Sequence, residues 1–300
     1  MKTGKFFICV ILLLISLSFT AHAEVLKMST TTSTKSSGLL DILLPAFGND
    51  SGFQVKVIAK GTGAAIRDGI DGNVDIIFVH AKKREEKFVK DGYGTKRYPV
   101  MHNDFIIIGP ASDPAGIKGY KNAFVALNKI AKSNAHFVSR GDDSGTHTKE
   151  QFLWSKTDVK LVEKTMKVSK NGKIKNITSK HPVFPRGNYY SIGQGMGKAL
   201  TYAEQKQCYV LTDRGTYIKF KYGRKIGLDM EIMCEGDLNL NNPYGIIPIN
   251  PKKHPHTKYK LAKIFAQWIV SKKAQSMISS YKLIGKQLFY PDSIKGTSNN

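Results

Sequence analysis

Cysteine, acidic residues and long apolar runs are all scarce in this 300-residue chain. One of its three cysteines, Cys9, lies inside the N-terminal apolar run, which leaves Cys208 and Cys234 in the rest of the chain. Two cysteines are too few for a disulfide-stapled fold, and these two can form one bridge or remain two buried thiols. No Cys or His pair has the spacing of zinc ligands, so we expect no metal cation site.

Only one apolar run is long enough to act as a targeting segment. It extends from Phe6 to Phe19, follows Lys2 and Lys5, and precedes the small-residue sequence Ala21-His22-Ala23. This pattern predicts a signal peptide at residues 1–23 with cleavage after Ala23, because the run is short for a retained membrane anchor. We therefore expect an exported mature protein of 277 residues without membrane insertion.

Acidic residues number 23 against 46 lysines and arginines, a formal net charge of +23. Beyond residue 23 the balance is 44 basic against 23 acidic residues, a net of +21. A strongly basic chain invites a nucleic-acid function. The lysines, however, are spread along amphipathic segments and form no stripe interleaved with aromatic residues. This spacing favours solvated helix faces, so we expect no nucleic-acid partner.

Segments of β-branched and apolar residues alternate with helix-like segments, which predicts an α/β fold with a mainly parallel sheet. The lysine-rich stretch 156–188 is predicted to be a surface excursion. The predicted strands are 25–28, 55–59, 75–79, 105–108, 136–138, 208–211, 230–234 and 244–249. The predicted helices begin at 64 and near 193, or cover 82–91, 120–131, 261–271 and 274–283.

Two hydroxyl-rich loops follow predicted strands and precede predicted helices. One covers 29–38 and the other covers 139–147, which includes Arg140 and Gly141. Helix N-termini carry unpaired N–H groups and partial positive charge, so such loops suit an oxyanion. A third, shorter loop at 61–63 has the same character. The predicted anion ligands are Thr31, Thr32, Ser33, Thr62, Gly63, Arg140, Ser144, Gly145 and Thr146.

Several polar residues near these loops have more than one interpretation. Asp142 and Asp143 either cap the following helix and orient Arg140, or face the ligand. Arg214 either contacts the ligand or pairs with Asp213 or a carbonyl of the hinge.

Two further features near the loops are expected to have structural roles, and the same loop residues suggest one competing class of protein. His147 is expected to pack or cap, and the glycines at 193–197 are expected to allow tight packing at a helix start. A hydrolase is the competing class, but Ser144 and His147 are only three residues apart, and no G-x-S-x-G elbow is present.

Several strings in the chain are similar to the periplasmic tungstate-binding proteins that supply ABC importers. They occur in the family's order from about residue 26 to about residue 291. The resemblance implies a type II periplasmic binding protein fold, with lobe I at 24–104 and 236–300 and lobe II at 105–235. The matching strings are 30–34 with 37–41, 61–63, 103–105, 139–147, 193–197 and 211–216.

The same resemblance implies a monomeric, periplasmic protein that is not an enzyme and has no cofactor. Its ligand would be tungstate or molybdate, its partner an ABC transporter permease, and its hinges would lie near 103–105 and 235–237. Tungstate and molybdate are dianions without a proton to donate, so their site needs donors only. Phosphate keeps a proton near pH 7 and gains from a carboxylate acceptor. The hydroxyl-rich loops favour tungstate or molybdate over phosphate, and sulfate is a further alternative.

Overall fold

The computed structural model describes residues 24–170 and 173–293, so the predicted signal peptide lies outside the described residues. Strands and helices alternate through most of the described chain, as the sequence predicts. The strands are β1 Val25–Thr31, β2 Gln54–Lys60, β3 Ile76–Val79, β4 Tyr98–Gly109, β5 Phe137–Ser139, β6 Leu161–Lys170, β7 Lys173–Pro182, β8 Tyr189–Ser191, β9 Tyr209–Asp213, β10 Glu231–Cys234, β11 Asn241–Pro248, β12 Lys282–Leu283, β13 Lys286–Gln287 and β14 Tyr290–Pro291. The helices are α1 Thr32–Ser36, α2 Leu40–Ser51, α3 Thr62–Ile70, α4 Lys82–Lys90, α5 Ala123–Lys132, α6 Gly145–Trp154, α7 Met196–Lys206, α8 Arg214–Tyr222, α9 Tyr259–Ile269 and α10 Lys272–Ser280, with a 3₁₀ turn at Leu238–Leu240.

Ten strands form one sheet with helices packed against it. The order along the sheet is β2-β1-β3-β11-β4-β9-β5-β8, and β10 and β14 also pair with β4. Strand β1 is parallel to β2 and β3, and β5 is parallel to β8 and β9, whereas β11 is antiparallel to β3 and β4. Parallel strands alternating with helices confirm the predicted α/β class. The sheet is mixed rather than mainly parallel, because β4 is antiparallel to each of its partners, β9, β10, β11 and β14.

The 12-residue strand β4 joins the two halves of the sheet. Its first half, 98–104, pairs with β11, and its second half, 105–108, pairs with β9. The chain returns from β10 to β11 through residues 235–240. Apart from Ile218, the buried residues around 26–101 and 244–289 pack with one another, and those within 105–240 form separate clusters. The predicted lobe boundaries fall at the two connections, and the division into lobes stays a prediction.

Cys208 and Cys234, the two cysteines within the described residues, are buried, free thiols. Cys234 lies in β10, and Cys208 directly precedes β9. Both strands pair with the second half of β4, on opposite sides of it. Strands two positions apart are separated by about 9–10 Å, well beyond the roughly 7 Å limit for a disulfide. Of the two possibilities that the sequence leaves open, the structure has the unbridged one.

Several segments differ from their predicted structure. Strand β4 begins at Tyr98 rather than at 105, α8 was not predicted, and the helix predicted at 274–283 ends at Ser280. Strand β1 continues to Thr31, and α1 follows at once, because β-branched threonines suit an extended backbone. The predicted excursion at 156–188 contains a hairpin, in which β6 and β7 pair only with each other and Thr165 Oγ1 lies 2.8 Å from Thr178 Oγ1. Within the described part of the chain, no helix is both long and apolar enough to span a bilayer.

Candidate functional site

The first hydroxyl-rich loop is the junction of β1 and α1. Thr31 is only 3% exposed, and its hydroxyl caps α1 by accepting a hydrogen bond from the Thr34 backbone N–H at 3.2 Å. Thr31 Oγ1 also lies 2.6 Å from Thr34 Oγ1 and 3.0 Å from Ser33 Oγ. Thr32 and Ser33, in contrast, are exposed. Of the three predicted ligands in this loop, Thr31 thus has a structural hydroxyl, and Thr32 and Ser33 have hydroxyls that a solute can reach.

The second loop joins β5 to α6. Ser144 caps α6 by accepting from the His147 backbone N–H at 3.3 Å. Asp142 accepts from the Ser144 backbone N–H at 3.3 Å through Oδ1 and from Arg140 Nη2 at 2.7 Å through Oδ2. Asp142 therefore braces the helix start and orients Arg140, the first of the two interpretations of this carboxylate.

Arg140 carries the positive charge of this loop. Its side chain is 15% exposed, and Nη1 lies 3.4 Å from Thr146 Oγ1. Its Nε is buried and has no hydrogen-bond partner within residues 24–170 and 173–293. A buried donor without an acceptor is costly in free energy. An anion oxygen beside this guanidinium would supply both an acceptor and a compensating charge.

A cleft of about 560 Å³ opens between the two loops. Thr32 and Ser33 of the first loop and Arg140 of the second line it, so three predicted ligands meet at one cavity. Arg140 lies more than a hundred positions along the chain from the other two, and the sheet topology brings them together. The other lining residues are Ser36, Asp142, Ser169, Gly193, Gln194, Gly195, Met196, Gly197, Lys198, Asp213 and Thr216.

Other predicted ligands meet at a second contact between the loops. Thr62 begins α3 and Gly145 begins α6. A Cβ placed on Gly145 would lie 3.7 Å from Thr62 Oγ1 and 3.5 Å from His80 Cε1. A Cβ on Gly63 would lie 3.2 Å from Arg84 Nη2. The predicted ligands that do not line the 560 Å³ cleft are Thr31, Thr62, Gly63, Ser144, Gly145 and Thr146.

Three features of this region are missing from the sequence-based site. Residues 193–198 line the cleft as well as packing tightly, since a Cβ on Gly197 would lie 3.1 Å from Phe220 Cζ. Helix α7, which begins in this segment, has no side-chain cap at its start. The glycines, which cannot supply a capping side chain, were the signal for this in the sequence. Asp213 also lines the cleft and caps α8, where it accepts from the Thr216 N–H at 2.8 Å and from Thr216 Oγ1 at 2.7 Å. His80, the third, directly follows the buried strand β3, a position typical of ligand sites in α/β sheets.

Arg214 joins the two connections between the halves of the sheet. Its Nε and Nη2 donate to the two carboxylate oxygens of Asp104 at 2.6 and 2.5 Å, and Nη2 also donates to Glu235 Oε2 at 2.7 Å. Asp104 lies on β4 and Glu235 on the return path from β10 to β11. The partners of Arg214 are thus two carboxylates of the predicted hinges, rather than Asp213 or a carbonyl.

Two buried ionisable residues of α6, Glu150 and His147, support the second loop. Glu150 is 2% exposed, and burial raises its pKa to about 7, although Tyr189 and Trp154 donate to Oε1 at 2.7 and 3.2 Å. His147 is 3% exposed, and its Nδ1 accepts from the Asp143 N–H at 3.1 Å. Burial lowers the pKa of His147. His147 packs inside the loop, as the sequence predicts.

Known proteins are similar to this chain in sequence and in architecture. A model of the PBP superfamily domain matches residues 19–273. The tungstate-binding protein TupA of Peptoclostridium acidaminophilum is 44% identical over 273 residues, which cover 89% of this chain and 86% of that protein. The structure of the tungstate-binding protein TupA from Desulfovibrio alaskensis G20 is 43% identical, with a TM-score of 0.78 over 90% of this chain and 99% of that chain. The chain belongs to the TupA family.

A further TupA-like structure extends this agreement. The crystal structure of the tungstate ABC transporter from Geobacter sulfurreducens is 46% identical, with a TM-score of 0.69 over 86% of this chain and 99% of that chain. Membership of the TupA family confirms the resemblance seen in the sequence and the predicted type II periplasmic binding protein fold.

Proposed function

We propose that this protein is an exported solute-binding protein that captures tungstate in the 560 Å³ cleft and delivers it to the permease of an ABC importer. One observation carries the proposal: in a TupA family member, Thr32 and Ser33 of the first loop and Arg140 of the second loop line one cleft. Hydroxyls and guanidinium N–H groups are donors that suit a fully ionised oxyanion.

The state of the cleft carboxylates supports a ligand that has no proton to donate. Asp142 already accepts from Arg140 and the Ser144 N–H, and Asp213 already accepts twice from Thr216. A phosphate monoanion or its singly protonated dianion would need one of these oxygens as an acceptor. Tungstate and molybdate need none, so a cleft whose carboxylates accept from protein donors suits them, and the TupA relatives favour tungstate.

The same loop offers little to a hydrolase. Ser144 Oγ accepts from the backbone N–H of His147, and the His147 ring accepts from the Asp143 N–H. The described hydrogen bonds of Ser144 therefore include none to the imidazole that would have to remove its proton. Binding without turnover is the function that this geometry supports.

The site of action and the partners complete the proposal. The predicted signal peptide would direct the protein to the periplasm and be removed after Ala23. The mature chain would act as a monomer. The permease would recognise the surface that the protein presents when the cleft is closed around its ligand.

Calorimetric titration of residues 24–300 with tungstate, molybdate, sulfate and phosphate tests this function. We expect saturable binding of tungstate at one site per chain, and weak or no binding of sulfate and phosphate. Arg140→Ala should weaken tungstate binding, and Arg186→Ala serves as the matched control because Arg186 is exposed and lies outside the cleft lining. Tight phosphate binding without a response to tungstate would contradict the proposal.

A further inference from the structure

His80 lies at the meeting point of the two anion loops. Its Nε2 is 3.2 Å from Thr31 Oγ1 and 3.3 Å from Ser33 Oγ. Its ring packs against Tyr244 with 4.7 Å between ring centroids, and a Cβ on Gly145 would lie 3.5 Å from Cε1. The imidazole therefore contacts the first loop through its nitrogen and borders the second loop through its carbon edge.

Two buried asparagines determine which ring nitrogen of His80 carries the proton. Asn103 on β4 and Asn242 on β11 lie opposite each other in the sheet, and each is 3% exposed. Asn242 Nδ2 donates to Asn103 Oδ1 at 2.7 Å, so Asn242 Oδ1 is left as an acceptor. His80 Nδ1 lies 3.1 Å from that oxygen and must donate to it.

The other ring nitrogen is consequently an acceptor. Burial lowers the pKa of His80, although the negative charge of Asp213 acts to raise it. The lowered pKa favours the neutral ring with a single N–H. With Nδ1 protonated, Nε2 has a lone pair and accepts a hydrogen bond from a neighbouring hydroxyl. Thr31 is the buried neighbour at 3.2 Å, whereas Ser33 is exposed.

This assignment affects what Ser33 can offer to a ligand. Thr31 has one hydroxyl proton and three neighbours that can accept it: Ser33, Thr34 and His80. If His80 Nε2 accepts it, Thr31 Oγ1 can accept twice from Thr34, through the Thr34 N–H and the Thr34 hydroxyl. Ser33 then need not donate to the imidazole or to Thr31, and it keeps its own proton for the cleft. We propose that His80 is a positioning residue, held as the Nδ1–H tautomer by Asn242, that directs the Ser33 hydroxyl proton toward the bound oxyanion. The inference rests on the proposed function, since Ser33 must face an anion.

Two substitutions separate the two nitrogens of the ring. In His80→Gln, the side-chain amide reaches approximately the position of Nε2 and can present an oxygen to Thr31. In His80→Asn, the shorter amide reaches approximately the position of Nδ1 and can donate to Asn242, but it leaves no acceptor for Thr31. We expect His80→Asn to weaken tungstate binding about tenfold, the scale of one lost hydrogen bond. His80→Gln should remain within about threefold of the parent.

The experiment combines calorimetry with ring ¹⁵N NMR of histidine-labelled protein. The parent spectrum should show the neutral Nδ1–H tautomer of His80 near neutral pH, with and without tungstate. Equal losses of affinity in both variants would mean that the ring only fills space against Tyr244, and equal affinity to the parent would mean that it plays no part. Either result overturns the inference while tungstate binding by the parent stands.

The spectrum also keeps the inference testable if a variant misfolds or if the proposed function fails. If His80→Asn does not fold, an Nε2–H tautomer or a protonated ring in the parent overturns the inference by itself. If the parent binds no tungstate, the proposed function fails, and the role of His80 toward an anion fails with it. The tautomer measurement still reports separately whether Asn242 holds the ring.

Discussion

Replacing Arg140 is the most direct test of the anion site. Arg140→Ala removes the guanidinium whose Nε is buried without a partner among the described residues, and it also removes the donor to Asp142 Oδ2. The Asp142 side chain is 3% exposed, so its charge would be left close to the bound dianion with little screening. Both effects weaken binding.

The magnitude follows from these two contributions. A hydrogen bond to a charged group contributes about 1.5–3 kcal/mol, and the carboxylate of Asp142, without the neighbouring guanidinium, adds a repulsion that acts in the same direction. We expect a loss of about 2–4 kcal/mol in tungstate binding, or roughly thirtyfold to a thousandfold in Kd. Arg140→Lys should recover only part of this loss, because an ammonium cannot reproduce the forked geometry of the guanidinium.

A double variant separates the two contributions. In Arg140→Ala with Asp142→Asn the repulsive charge is absent, so the double variant should bind tungstate more tightly than Arg140→Ala alone. Calorimetry gives the affinities, and thermal unfolding shows whether each variant is folded. If Arg140→Ala and Arg140→Lys both bind like the parent, Arg140 is a structural residue and the assignment of the cleft is wrong.

Three further predictions concern the hinge, the pH dependence and the loop backbone. Tungstate should reduce the radius of gyration measured by small-angle scattering. Arg214→Gln should alter this change, because Arg214 bonds to both connections between the halves of the sheet. An identical change in parent and variant would contradict a hinge role. Glu150 has a folded-state pKa of about 7, above its ordinary value of 4.5, so its contribution to stability is complete below about pH 4.5 and is lost as the pH rises through about 7. Glu150→Gln should therefore flatten the fall in melting temperature across this pH range, and an unchanged slope would argue against this carboxyl. Gly141→Ala should weaken tungstate binding, since Gly141 has φ +59° and its Cβ would overlap Ser191 Oγ. Gly61→Ala, with open space and φ −72°, is the control, and equal affinities would refute the steric argument.

The class of fold and the chemistry of the loops could be predicted from the sequence because both depend on local patterns. Strand, hydroxyl-rich turn and helix follow one another at 25–36 and 137–154, and the caps supplied by Thr31 and Ser144 involve residues three positions away. Such signals are contained in short windows of sequence. The predicted Asp142–Arg140 contact spans only two residues for the same reason.

The length of β1 and the hairpin at 161–182 were harder to predict. Threonines suit both a strand and a cap, so the end of β1 depends on its pairing with β2, where Thr31 lies opposite Lys60. The lysines of the hairpin hid its alternation of exposed and less exposed residues. Strand pairing outside the main sheet, rather than local composition, decided this segment.

By itself, the sequence determined an α/β chain with anion-binding loops and a resemblance to the TupA proteins. Only the tertiary structure decided which residues share a cleft and which residues position them. Asp104 and Arg214 are 110 residues apart, and His80 and Asn242 are 162 apart, yet each pair is within hydrogen-bonding distance. The first contact exists because β9 pairs with β4, and the second exists because β11 pairs with β3. No local pattern in a sequence specifies which distant strands become neighbours.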